Sequence, residues 1–331
     1  MARLTDPAAS GLMAWLLDEE QPSVVYHFLK GVLGKKDDDE HVGRAAAAIP
    51  ERGWAPELLA GQKPGGYWES KDDLYRPKYQ ATIWKLIVLA DLGMTANDER
   101  IRRSCELFLE QYHKEDGGFD TPTSDWERSE HCLTGNLART LIMCGYEDHS
   151  HVRSALDWLV ENQMKDGGWH CFHEKAFGRG TLDCWKGLSA YAAFPRQKWS
   201  RRIKRSAERG AEFYLDRELS NEGPRRYLPW FRFHYPVHYY YDVLVGLDVI
   251  TRLGYADDRR LLPALSLLKK RRRPDGTWLL DAVHPDLGLG AGYRMNKRKV
   301  RPLALETKGK PSKWITLCAL RVLRRAGESG F

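Results

Sequence analysis

A motif that returns at a fixed interval constrains the architecture of a chain more firmly than any single residue, because each copy must be one structural unit that buries its face on its neighbours. Here Gln62-Lys-Pro-Gly-Gly-Tyr-Trp68 is echoed by Gln111-Tyr-His-Lys-Glu-Asp-Gly-Gly-Phe119, by Gln163-Met-Lys-Asp-Gly-Gly-Trp169 and by Arg273-Pro-Asp-Gly-Thr-Trp278. Glycines 66, 118, 168 and 276 are spaced at about 50 residues or twice that. The long step predicts a decayed copy near 222, where Asn221-Glu-Gly-Pro224 stands.

A second series runs in phase with the first. Apolar stretches stop at Gly34, Gly93, Gly145, Gly254 and Gly327, and once at Phe194-Pro195. Glycine ends helices in the left-handed conformation, and proline forbids their continuation. Between these stops and the next aromatic-glycine loop lie Asp98 to Tyr112, Ser150 to Gln163 and Asp258 to Arg271, with apolar residues at three- and four-residue spacing. Each period is therefore a pair of helices, and the chain is all-α. The more apolar members of six pairs are expected to begin near Pro22, Tyr79, His131, Asp183, His238 and Lys313. A closed repeat array can hold 331 residues in one unit, so residues 1–331 are expected to form a single domain.

No apolar run is long enough to span a bilayer, and no signal-length apolar core precedes Asp18 and Glu19, so a cytoplasmic protein is expected. The six cysteines are scattered, which is not how a disulfide scaffold is composed; reduced thiols are expected. The net charge of +7 arises from short clusters, Lys269 to Arg273 and Lys297 to Lys299, read as solvated loops and helix ends. Nucleic acid is not expected as a partner. A protein partner and peripheral membrane contact stay open.

The Q-x-x-D-G-G-W/F repeat resembles that of squalene and oxidosqualene cyclases and of protein prenyltransferase β subunits, the terpenoid cyclase and protein prenyltransferase superfamily. The resemblance implies an α/α toroid of six helical hairpins, in which an inner and an outer ring enclose a central cavity. Parallel inner helices would then surround one mouth with their positive ends. Lys78, Lys186, Arg232 and Lys313 lie at or near those starts, and Tyr79, Trp84, Trp185, Tyr239, Tyr240, Tyr241 and Trp314 lie at or just inside them. This mixture suits an amphipathic ligand, isoprenoid or polycyclic, with the anion at Lys186, Arg232 and Lys313 and the chain against Trp84, Trp185, Tyr241 and Trp314. Acid or base chemistry would fall to His238, Asp242, Asp183 and the tyrosines, Tyr240 among them. The protonating cyclases use an Asp-x-Asp-Asp acid. Asp37 to Glu40, the only cluster of that kind, is read instead as a helix cap.

The prenyltransferase β subunits bind zinc through an Asp-x-Cys at one inner helix start and a His at the next. The resemblance thus implies a zinc held by Asp183, Cys184 and His238 in this chain. An alternative set is Cys132, Cys171 and Cys184 with a histidine from His131 or His170. Cys132 and Cys184 stand at helix starts and are expected to be the most acidic thiols. Two other classes remain open: a non-catalytic lipid- or protein-binding toroid, and a carbohydrate-active lyase or hydrolase.

Overall fold

A computed structural model describes residues 7–122, 124, 128–171, 178–223, 227–284 and 302–328. His173, Pro224, Arg226 and the Lys297–Lys299 cluster lie outside the described residues. Among the described residues the chain is all-helical, with isolated β-bridges and no strand. In chain order the helices are α1 (Pro7–Leu16), α2 (Pro22–Gly31), α3 (Glu40–Ala48), α4 (Trp54–Leu59), α5 (Thr82–Asp91), α6 (Glu99–Gln111), α7 (His131–Met143), α8 (Ser150–Glu161), α9 (Lys186–Ala193), α10 (Arg201–Leu215), α11 (Val243–Arg252), α12 (Leu262–Lys270) and α13 (Lys313–Arg325). The all-α class and the alternation of apolar and amphipathic helices expected of α/α-toroid repeats are both present. Starts read at Pro22, His131 and Lys313 coincide with helix starts. Those read at Tyr79, Asp183 and His238 fall before the true first turns, because extended or 3₁₀ segments intervene.

The chain divides into two compact units. One comprises Gly61–Arg226 with His238–Tyr241; the other comprises Met1–Ala60, Tyr227–Val237 and Asp242–Phe331. In the first, α7 packs on both α5 and α9, while α6, α8 and α10 cover them. α7 buries residues on every side, whereas α6 buries only the stripe Ile101, Ser104, Cys105, Phe108 and Leu109. A helix buried all round belongs to a core; a helix with one apolar stripe belongs to a surface. In the second unit α13 packs on α2 and α11, which are covered by α3 and α12.

The repeat motif is a structural staple. Its glutamines donate across to the next outer helix: Gln62 Nε2 to Arg100 O and Ser104 Oγ, both at 2.9 Å, and Gln163 Nε2 to Ser206 O at 2.9 Å. Its aspartate closes the turn, as when Asp116 accepts from Gly118 N, Ser129 N and Trp158 Nε1. Its aromatics, Trp68, Phe119, Trp169 and Trp278, are all buried. Three of them donate a backbone N–H to a threonine in the first turn or so of the following apolar helix: Trp68 to Thr82, Phe119 to Thr134 and Trp278 to Thr316, at 2.9–3.0 Å. In the first copy both ends are thus hydrogen-bonded to neighbouring elements, Gln62 to α6 and Trp68 to Thr82 of α5. Asp39, from the acidic cluster, caps α3 by accepting from His41 N.

Candidate functional site

In the Gly61–Arg226 unit two helix starts are drawn unusually close. A Cβ added to Gly135 of α7 would lie 2.6 Å from the Lys186 backbone and 2.7 Å from Gly187 N, so only glycine permits this approach of α7 to α9. Glu130 caps α7, accepting from Cys132 N at 3.0 Å and Leu133 N at 2.8 Å, and so fixes its first turn. The 3₁₀ turn Leu182–Cys184 leads into α9. Cys171 follows Trp169 from the glycine loop.

These constraints bring four donors together. Ligand atoms of His131, Cys132, Cys171 and Cys184 all lie within 4.8 Å of one another. Cys184 Sγ stands 3.8 Å from Cys132 Sγ and 3.3 Å from Cys171 Sγ. Cys132 and Cys171 are joined as a disulfide, a pairing not expected from the scattered cysteines. His131 is fully buried and stacks on Trp169, with ring centroids 5.6 Å apart. The cluster has the donor set to hold a metal ion.

Its electrostatics are governed by burial. The Cys184 thiol is pushed well up by desolvation, against the pull of Lys186, which reverses the expectation of an acidic thiol at a helix start. Lys186 is fully buried and is brought down to about 7 by the same cause, with Cys184, Asp183 and Glu130 opposing. Desolvation raises the half-buried Glu130 carboxyl to about 7. Asp120, also buried, is raised too.

Beside Lys186 lies an aromatic cluster. Its Nζ sits over the Trp185 ring at 4.6 Å and the Tyr239 ring at 5.5 Å, and Lys78 Nζ is 5.1 Å from that Tyr239 ring and 3.3 Å from its hydroxyl. The hydroxyls of Tyr79, Tyr239 and Tyr240 lie 3.2–3.4 Å apart. Trp84 donates Nε1 to Tyr75 O at 2.8 Å and touches the rings of Tyr79, His238 and Tyr239. Lys78, Tyr239 and Tyr240 are half-buried, whereas Trp84 and Tyr79 are enclosed.

Of the remaining candidates from the sequence, only His238 touches this aromatic cluster among the described contacts. Asp183 is exposed, and His238 packs on Tyr79 and Trp84; neither belongs to the thiol cluster. Tyr241 is buried and donates its hydroxyl to Leu219 O at 2.8 Å. Asp242, Arg232, Lys313 and Trp314 belong to the other unit. There Asp242 caps α11 and accepts from His234 Nδ1 at 2.7 Å, Lys313 pairs with Asp18 at 2.7 Å, and Trp314 stacks on Tyr235. The sequence reading missed Glu130, Asp120 and His234. Glu130, the residue just before an apolar helix start, had a legible capping signal; the burial of Asp120 had none.

No protein-family model matches the chain, and no curated protein matches its sequence. Among solved structures, the chain is similar to the type II terpene cyclase MstE of Scytonema in complex with geranylgeranyl dihydroxybenzoate. Two variants of that enzyme align at 17% and 16% identity, with TM-scores of 0.46 and 0.45, covering 94% and 93% of this chain and 88% and 87% of theirs. A protein from Actinoplanes aligns at 18% identity and a TM-score of 0.43, over 93% of this chain and 90% of that one.

Proposed function

We propose that this protein binds an isoprenoid or comparable apolar chain with an anionic end, in the manner of a terpenoid cyclase- or prenyltransferase-like protein. The supporting observation is the pair of lysine Nζ groups, Lys78 and Lys186, on the Tyr239 ring amid Tyr79, Tyr240, Trp84 and Trp185. Cations beside phenol donors suit an anionic head; adjacent ring faces suit an apolar chain or a developing cation. Lys78, half-buried, is the cation a ligand would meet first, while enclosed Lys186 contributes to the field. Where binding leads to chemistry, the proton donors at hand are the three phenols and the raised carboxyls of Asp120 and Glu130. The ion for the thiol–imidazole cluster is read as zinc, which three thiolates and an imidazole suit best. A cytoplasmic location, with reduced thiols, belongs to the same reading.

The scaffold reading finds less support, because most of its basic run is already engaged: Lys269 with Glu328, Arg271 with Asp281 and Arg273 with Asp275. The carbohydrate-active reading needs a carboxylate pair about a sugar bond, whereas Asp242 is engaged in capping α11 and in its bond with His234. Thermal-shift titration separates the classes. Farnesyl or geranylgeranyl diphosphate should raise the melting temperature, and Lys78→Met should weaken their binding about tenfold. Stabilisation by acidic oligosaccharides but not by prenyl diphosphates would replace this reading with the carbohydrate one.

A further inference from the structure

We infer that His131, Cys132, Cys171 and Cys184 form a closed, four-ligand metal site that staples the glycine loop to the starts of α7 and α9, and that it presents no open coordination position to a substrate. The inference deepens the zinc reading above and rests on it. It differs from the Asp-Cys-His arrangement implied by the sequence resemblance, in which three protein ligands leave a fourth position open.

Three observations carry it. The first is ligand count and spacing. Three sulfurs and one imidazole within 4.8 Å of one another are a complete tetrahedral set. Sulfurs around one zinc at bonds of about 2.3 Å stand about 3.8 Å apart. Cys184 lies 3.8 Å from Cys132 and 3.3 Å from Cys171. The second is topology. The four donors come from three separate places, the α7 start, the loop after Trp169 and the turn before α9, so one ion ties three segments, two of which the Gly135 approach already juxtaposes. The third is charge. Three thiolates and a neutral imidazole around a divalent ion carry one net negative charge, which in a buried place calls for a cation. Lys186, fully buried and two residues from Cys184, is placed to offset it.

The metal and the Cys132–Cys171 disulfide are mutually exclusive uses of the same sulfurs. Zinc binding requires both as thiolates, with loss of a proton from each cysteine. Oxidation by a peroxide would join the two sulfurs, pass their two electrons to the peroxide, which takes two protons from solvent and leaves as two waters, and release the ion.

The test begins with full-length protein purified under reducing conditions, its metal content measured by elemental analysis and its thiols counted by alkylation and mass spectrometry. One zinc per chain is expected, with Cys132, Cys171 and Cys184 protected until a chelator is added. Replacement by cobalt should give the intense visible bands of a tetrahedral site with thiolate charge transfer. Cys184→Ser and His131→Gln should each lose the metal, whereas Asp183→Asn and His238→Gln should retain it. The wild-type cobalt spectrum stands even where a ligand variant fails to fold. A reduced wild-type protein that takes up no zinc overturns both this inference and the zinc reading. Zinc that binds but depends on Asp183 or His238, or a cobalt spectrum with a water ligand, overturns the closed set alone. A Cys132–Cys171 disulfide that persists in reductant and excludes metal also overturns it. Prenyl diphosphate binding is measured separately, so its failure bears only on the ligand proposal.

Discussion

Gly135→Ala tests the step from packing to site most directly. In an isolated helix the change should help, since alanine is favoured over glycine by about 1 kcal/mol in a helix interior. In this fold the new methyl would stand 2.6 Å from the Lys186 backbone and Cβ, against an optimal carbon separation of about 3.5–4.0 Å. α7 and α9 must therefore part by about 1 Å, and overpacking of this kind costs about 1–3 kcal/mol or more. The clash outweighs the propensity gain, and a net loss of about 1–2 kcal/mol is expected in urea denaturation of the metal-free protein. The same displacement stretches the 3.8 Å span between Cys132 and Cys184, so zinc affinity by competition with a chromophoric chelator should fall at least about tenfold. A variant more stable than wild type that keeps its zinc affinity would show that the close approach does not set the site.

Three further outcomes follow from the core. Trp169→Ala removes a buried ring stacked on His131 and bonded to Leu159 O, and should cost about 3–5 kcal/mol in the same denaturation assay. Thr134→Val leaves the Phe119 N–H buried without its acceptor and should cost about 1–3 kcal/mol, while Thr134→Ser restores most of it. Burial pushes the Asp248 carboxyl upward, but Arg325, Arg321 and Arg252 outweigh it and hold the group well below its ordinary 3.8. A folded value below the unfolded one gives stability that is present above 3.8 and lost as pH falls through the folded value, so Asp248→Asn should cost about 3 kcal/mol at neutral pH and progressively less below pH 3.8.

The fold was legible because its signals are local and repeated. Gly34, Gly93, Gly145, Gly254 and Gly327 all take positive φ, as the helix stops required. The motif residues do in three dimensions what their recurrence demanded: they join one helix pair to the next. Less legible were starts at which the chain delays its helix. His238 takes a positive φ, Tyr239 to Tyr241 precede the cap at Asp242, and α11 begins only at Val243. Apolar content alone does not distinguish three consecutive tyrosines in a non-helical segment from a helical turn.

Side-chain direction explains what was hidden in the site. Cys184 and Asp183 are neighbours in sequence, but in a 3₁₀ turn successive side chains diverge by about 120°, so one is buried and the other exposed. The expectation that Asp183 joins Cys184 at a metal therefore depended on a phase the sequence does not display, while His131, one residue before Cys132, reaches the same cluster. Thiol acidity was misjudged for a different reason. A helix start offers about half a positive charge, an effect of about 1 kcal/mol at an exposed end, whereas full burial of an ionised group shifts its equilibrium by several pK units. Cys184 lies on the losing side of that comparison, and neither the helix nor Lys186 makes it a thiolate. A divalent ion at bonding distance supplies the charge that the helix start lacks and deprotonates a coordinating thiol outright.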